Sequence, residues 1–146
     1  MSRRTAHPLA ASLYATFAAY EEVDHDFCGQ CYKPSEAARL RDATPRELST
    51  KDARKLLEET ADHWSSSASY RRYLPRILEA LAPPESAEPL YPDHFPATLA
   101  ALGFTSWPPD EREAVLRFLK AISPLPSFSP EDQLEWQAAC SLLSVG

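Results

Sequence analysis

The sequence predicts an all-α fold, in which residues 1–146 form a single domain of about six or seven short helices packed as helical hairpins. Three observations lead to this prediction. The chain has 22 Ala and 18 Leu but only 3 Val and 2 Ile, so the β-branched residues that strands favour are scarce. It has 14 Pro and 3 Gly, which is typical of short helices that begin at a proline. Its apolar residues also recur at helical spacing.

The N-terminal part of the chain is predicted to hold one helix, a loop and a short second helix. The first helix, from about 8 to 20, is indicated by apolar residues at helical spacing, namely Leu9, Leu13, Phe17 and Tyr20. Residues 21–33 break this spacing and are predicted to form a loop. Pro34 begins a short helix ending near Leu40, and the segment Thr44-Pro45-Arg46-Glu47 has the pattern of a capping box that begins a new turn.

The middle of the chain predicts two helices that pack as an antiparallel hairpin. Ser49, followed three residues later by Asp52, is the expected N-cap of the first. Its apolar stripe, at helical spacing, is Ala53, Leu56, Leu57, Ala61 and Trp64. The second helix has an equally regular stripe of Tyr70, Tyr73, Leu74, Ile77, Leu78 and Leu81. Pro75 lies inside it, which predicts either a kink or a later start near Tyr73.

The C-terminal part is predicted to hold three helices separated by proline-rich segments. Residues 83–92 contain four prolines and form a connector at which the domain could divide in two. A short helix over 95–102 ends at Gly103, which is expected to take the left-handed conformation. The next helix runs from the Trp107-Pro108-Pro109-Asp110 segment to about Ile122. The last begins at the Ser129-Pro130 cap and reaches about Ser144.

The net charge of −6 is concentrated in the C-terminal part of the chain. Up to residue 82 there are twelve basic and twelve acidic residues, whereas three basic residues face nine acidic ones from residue 83 onward. An acidic chain is a poor partner for phosphate backbones, which argues against binding to nucleic acid or to anionic membranes. A basic protein partner fits better, and solubility alone explains an acidic surface equally well. The apolar runs are too short to span a bilayer and the first residues lack a secretory signal, so we expect a cytoplasmic protein.

Two cysteines in the predicted loop are the strongest candidates for a metal site. Cys28 and Cys31 are separated by two residues, a spacing that lets two thiolates chelate one metal ion. A zinc ion needs two further ligands, for which His25 and His63 are the candidates and Asp24, Asp26 and His94 are substitutes. Plain reduced thiols are the interpretation of this pair that the sequence favours, with zinc as the alternative and a redox or disulfide pair as a further one. Cys140 lies among Ala and Leu residues and is expected to be a small buried apolar residue.

The segment Cys28-Gly29-Gln30-Cys31 resembles the Cys-Gly-Pro-Cys motif of thioredoxin-like proteins. In that family the first cysteine follows a strand and begins a helix, whose dipole lowers its pKa. In this chain a helix precedes the pair, and Gln30 stands in place of the proline. Thioredoxin-like chemistry is therefore not the leading interpretation.

The sequence contains no motif that names a reaction. It has no glycine-rich phosphate loop, no G-x-S-x-G and no H-E-x-x-H, so we predict that the protein is not an enzyme. A basic strip predicted on the helix that ends near Leu81 is a candidate partner-binding surface, because Arg and Tyr anchor many protein interfaces. It comprises Tyr70, Arg71, Arg72 and Arg76. An ordinary solvated helix face beside an aromatic core is the alternative interpretation.

Residues 17–81, nearly half of the chain, resemble an uncharacterised family of small bacterial helical proteins. The matching features are an aromatic helix end at Phe17 and Tyr20, the Cys28 and Cys31 pair, the Pro45-Arg46-Glu47-Leu48-Ser49 turn, Trp64, and the Tyr73-Leu74-Pro75-Arg76 run. The resemblance implies a bacterial helical protein and carries no settled activity. The chain departs from the family at Arg72, where a histidine often stands.

Two functions follow from these observations. The leading prediction is a non-catalytic interaction or regulatory protein, for example an immunity protein or antitoxin, that binds another protein through an acidic C-terminal face containing Glu111, Glu113, Glu131 and Asp132. The alternative is a small zinc-binding protein, structural or catalytic, with the metal at the Cys28 and Cys31 loop. The leading prediction needs no cofactor, and zinc is the one that the alternative implies.

Overall fold

The computed structural model describes residues 9–81, 94–122 and 129–144. These ranges contain seven α-helices and four short 3₁₀ turns. The helices are α1 (Ala10–Thr16), α2 (Pro34–Asp42), α3 (Thr50–Leu57), α4 (Ser67–Leu81), α5 (Phe95–Ala101), α6 (Pro109–Ile122) and α7 (Pro130–Leu143). The 3₁₀ turns are Ala18–Tyr20, Pro45–Glu47, Ala61–His63 and Phe104–Ser106. No strand occurs in these ranges, so the predicted all-α fold of helices packed around one core is confirmed.

Helix α4 is the centre of the fold, because twelve of its fifteen residues are buried. It packs against α3, as predicted for the hairpin, and also against α1 and α6. The helix begins at Ser67 and runs through Pro75, so the predicted later start near Tyr73 is wrong. The fully buried side chains along α4 include Tyr73, Leu74, Ile77 and Leu78, which place the apolar stripe of the sequence in the core.

Several helix boundaries follow from the capping residues that the sequence predicts. The Ser49 hydroxyl accepts a hydrogen bond from the backbone N–H of Asp52 at 3.0 Å, and the Ser129 hydroxyl accepts one from Asp132 at 3.1 Å. Gly103 has a φ of 82°, the left-handed conformation expected of it.

Two boundaries near the N-terminus differ from the prediction. The first helix ends at Thr16, because the backbone of Phe17 leaves the helical region, and a separate 3₁₀ turn follows over Ala18–Tyr20. The Thr44 side chain donates to the carboxylate of Glu47 and not to a backbone group, and only one 3₁₀ turn forms there.

The connector predicted at 83–92, at which the domain could divide, lies outside the described residues. The same holds for most of the loop predicted between α6 and α7, which is described only from residue 129 onward. None of the helices in the described ranges is long and apolar enough to cross a membrane.

Candidate metal centre

The loop between α1 and α2 brings the sulfur atoms of Cys28 and Cys31 to one side of a tight turn. The carbonyl oxygen of Cys28 accepts hydrogen bonds from the backbone N–H groups of Cys31 at 3.1 Å and Tyr32 at 3.0 Å, which closes the turn. The rings of Phe27 and Tyr32 on either side are buried and meet edge to face, with centroids 4.9 Å apart. Core packing on both sides of the cysteine turn therefore fixes its position.

His63 lies at the end of the 3₁₀ turn between α3 and α4, and its ring reaches the cysteine turn. The Sγ atoms of Cys28 and Cys31 and one ring nitrogen of His63 all lie within 4.8 Å of one another. Two thiolates bound tetrahedrally to one zinc ion are about 3.8 Å apart, because each Zn–S bond is about 2.3 Å long. A shift of about 1 Å or less in each side chain would therefore bring the three groups to coordination distance.

Polar groups from its own turn surround the Nδ1 atom of His63. The hydroxyl oxygen of Thr60 lies 3.0 Å from Nδ1, and carboxylate oxygens of Glu59 and Asp62 lie at 3.4 and 3.6 Å. Thr60 also donates a hydrogen bond to Asp62, which holds the pKa of that carboxyl below its usual range. Sequence reasoning missed this surrounding group, although the i,i+4 spacing of Glu59 and His63 was visible in the sequence.

The two thiols of the centre differ in acidity. Backbone N–H groups of Gln30 and Cys31, together with the thiol of Cys31, direct hydrogen bonds at the sulfur of Cys28 and lower its pKa. Cys31 has a raised pKa, chiefly because its own S–H is donated to Cys28. Metal binding requires both sulfurs as thiolates, so Cys28 is the one that deprotonates first.

His25, which the sequence predicts as a ligand, does not belong to the cluster of Cys28, Cys31 and His63. Its ring stacks on Trp64 with centroids 4.5 Å apart and meets Phe27 edge to face at 4.4 Å. Its Nδ1 atom lies 3.1 Å from the hydroxyl of Ser65, and only 4% of the residue is exposed. Burial lowers the pKa of His25 to about 4, so the neutral imidazole is an integral part of the aromatic core.

The three substitute ligands that the sequence suggests are not members of this cluster either. Asp24, Asp26 and His94 fall outside the cluster in the described part of the chain. Cys140, in α7, is half-buried, and burial raises the pKa of its thiol to about 11.

The predicted surface strip of α4 is not a surface, because its arginines are turned inward. Arg72 and Arg76 are 6% and 1% exposed. Arg72 donates to the carbonyl oxygens of Val23 at 3.0 Å and Arg41 at 2.6 Å, and Arg76 donates to that of Leu48 at 2.8 Å. Buried guanidinium groups need several acceptors, and backbone carbonyl groups of the last turn of α2 and of the neighbouring loops supply them. These arginines fasten α2 and the neighbouring loops to α4, and their side chains are buried.

The other two members of the strip are also engaged within the protein. Tyr70 is 1% exposed. Arg71 lies between the rings of Tyr20 and Trp107, with its guanidinium carbon 4.6 and 4.7 Å from their centroids, and pairs with the Glu111 carboxylate at 2.9 Å. Glu111 is itself buried, so it does not belong to the predicted acidic face.

Comparison of the chain with protein-family models, with curated proteins and with solved structures finds no match. The resemblance to a bacterial family therefore stays a prediction.

Proposed function

We propose that this protein binds a zinc ion through Cys28, Cys31 and His63. The proximity of their three ligand atoms, all within 4.8 Å of one another, carries the proposal. Thiolate and imidazole groups are the ligands that zinc prefers in proteins, and two cysteines on one turn with a histidine from elsewhere in the chain is a common donor set.

The metal would join two segments that are distant in sequence but adjacent in space. Residues 21–33 contain no helix, whereas His63 ends the 3₁₀ turn that leads into α4. The hydrogen bonds from Arg41 to the carbonyl oxygen of His25 and from Asp26 to the Ser65 hydroxyl already tie this loop to its surroundings. Zinc would add a strong link at the far end of the loop, so its binding energy would contribute to folding stability. These three side chains would leave the fourth position of a tetrahedral zinc ion to water. We assign no catalytic step to the centre.

The test is native mass spectrometry of the full chain, prepared without chelator and reconstituted with zinc sulfate. Cys140 gives a matched control, because it is a cysteine of α7 that lies outside the cluster. We expect the wild type and Cys140→Ser to carry one additional mass of about 65 Da, and Cys28→Ser and Cys31→Ser to lack it. Chelation should lower the melting temperature of the wild type but not that of Cys28→Ser. Equal zinc content in all four proteins would refute the proposal.

An interaction role for the C-terminal region is a second candidate, and one observation on α7 favours it. Leu134 and Leu142 are 69% and 73% exposed, and among the described residues they are the exposed large apolar side chains. Glu131 and Glu135 are exposed on the same helix, and Glu113 is exposed on α6. We propose that these acidic and apolar side chains of α7, together with Glu113, bind a basic protein, as a regulatory protein such as an immunity protein or antitoxin would do.

Replacing these acidic residues by their amides removes the negative charge and keeps the shape of each side chain. The test variant carries Glu113→Gln, Glu131→Gln and Glu135→Gln, and the control removes three exposed acids elsewhere, Glu22→Gln, Asp42→Asn and Glu58→Gln. The partner is first captured by cross-linking in cells and then purified. Relative to the wild type, the affinity of the first variant for this partner should fall at least about tenfold, and that of the second only slightly. Equal affinity of both variants for that partner would exclude the acidic face.

A further inference from the structure

A hydroxyl group stands between a carboxylate and the imidazole of the proposed zinc ligand. Thr60 donates a hydrogen bond to the carboxylate of Asp62, and its oxygen lies 3.0 Å from Nδ1 of His63. The backbone N–H of His63 donates to the carbonyl oxygen of Thr60 at 3.0 Å, which closes the 3₁₀ turn around these side chains. One turn of backbone therefore holds all three groups in place.

The direction of the hydrogen bonds follows from counting protons. A carboxylate can only accept, so the single hydroxyl proton of Thr60 points to Asp62. The oxygen of Thr60 is then left to accept, and the Nδ1 atom of His63 must supply the proton. Carboxylate oxygens of Glu59 and Asp62 also lie 3.4 and 3.6 Å from Nδ1. These distances are too long for good hydrogen bonds, but the negative charges favour a proton on Nδ1.

We infer that Thr60 and Asp62 are positioning residues that hold His63 in the tautomer with its proton on Nδ1. This inference rests on the proposed zinc site. Within the described residues, the hydrogen-bond and ion-pair contacts of the imidazole are all made at Nδ1, so the lone pair of Nε2 is the one available to the metal. A histidine whose other nitrogen donates to a fixed acceptor presents its ligating nitrogen in one tautomer and one orientation, which strengthens metal binding.

Zinc affinity of the full chain tests the role of the Thr60 hydroxyl. Thr60→Val removes the hydroxyl at nearly constant shape, and Thr60→Ser restores it. Thr105, an exposed threonine in the 3₁₀ turn Phe104–Ser106, provides the control Thr105→Val. In competition titrations with zinc sulfate and a chromogenic chelator, we expect Thr60→Val to bind zinc roughly ten- to a hundredfold more weakly, with Thr60→Ser and Thr105→Val close to wild type.

The tautomer itself gives a readout that a merely structural role would not change. Nitrogen NMR of the metal-free protein at pH 8 should show the His63 proton on Nδ1 in the wild type and in Thr60→Ser. In Thr60→Val it should move largely to Nε2. Asp62 has an 81% exposed side chain, so Asp62→Ala is a second variant with little effect on folding. Asp62→Ala should also move the His63 proton from Nδ1 towards Nε2, because the hydroxyl proton of Thr60 can then be donated to Nδ1.

The outcomes separate the two proposals. If the wild type binds zinc through the two cysteines but Thr60→Val and Asp62→Ala match it in affinity and tautomer, the positioning role is wrong and the zinc site stands. If the wild type binds no zinc, the proposed function fails, whatever the tautomer of His63.

Discussion

Protonation of His25 is expected to destabilise the fold, because its imidazole is buried among aromatic rings. The residue is 4% exposed, stacks on Trp64, and lies near the cationic side chains of Arg41 and Arg72. Burial therefore lowers its pKa from an ordinary value of 6.5 to about 4. The unfolded chain binds a proton on His25 below about pH 6.5, whereas the folded protein does not do so until about pH 4.

The sign and size of the effect follow from this difference in pKa. The neutral form contributes its full stability above pH 6.5, and that contribution is lost as the pH falls from 6.5 towards 4. Each unit of pKa shift corresponds to about 1.4 kcal/mol, so the loss should reach about 2 kcal/mol at pH 5 and about 3 kcal/mol at pH 4. Well below pH 4 both states carry the proton, and the loss levels off at about 3.5 kcal/mol.

Urea unfolding of the metal-free protein between pH 7.5 and 4 measures this contribution. His25→Gln removes the titrating group, so the free energy of unfolding of the variant should fall less steeply with pH than that of the wild type. Phe27→Leu perturbs the same packing without removing a titrating group, and its curve should run parallel to that of the wild type. Parallel curves for His25→Gln and the wild type would refute the reasoning, since His25 would then titrate alike in both states.

Two further substitutions test how the fold is held together. Arg76→Leu should lower the free energy of unfolding by about 3–5 kcal/mol in urea titrations at pH 7, because it leaves the buried carboxylate of Glu79 and the carbonyl oxygen of Leu48 without their cation. Replacement of the exposed Lys51 by Ala should change it by less than about 0.5 kcal/mol, and a similarly small effect of Arg76→Leu would contradict the proposed role. Ser49→Ala should cost about 1 kcal/mol by removing the N-cap of α3, measurable by thermal unfolding, whereas an unchanged midpoint would mean that water replaces the cap.

The local features of the fold could be predicted from the sequence because neighbouring residues determine them. The serine caps of α3 and α7, the left-handed Gly103 and the apolar stripe of α4 each depend on a few consecutive side chains or on helical spacing. The position of the two cysteines of the candidate site is also a local feature, since a separation of two residues places both sulfurs on one turn. Even the boundary error at Thr16 is local, because the chain continues in a tighter 3₁₀ turn.

The partners of long side chains were decided by tertiary structure. The sequence predicted a surface strip containing Arg72 and Arg76, but folding places backbone carbonyl groups, 28 to 49 residues away in the chain, around their guanidinium groups. The sequence also predicted Glu111 on an acidic surface, yet this residue is buried against Arg71. A buried charge depends on acceptors or donors from distant segments, and helical periodicity contains no information about them.

The sequence by itself determined that the chain is helical, where most helices begin, and that two cysteines share a turn. Only the tertiary structure decided which histidine joins them. His25 is three residues from Cys28, but its ring is held in the core by Trp64 and Phe27, whereas His63 is brought to the sulfurs from 32 residues beyond Cys31. The physical reason is that backbone turns are set by local conformational preference, while the direction of a side chain is set by the packing around it.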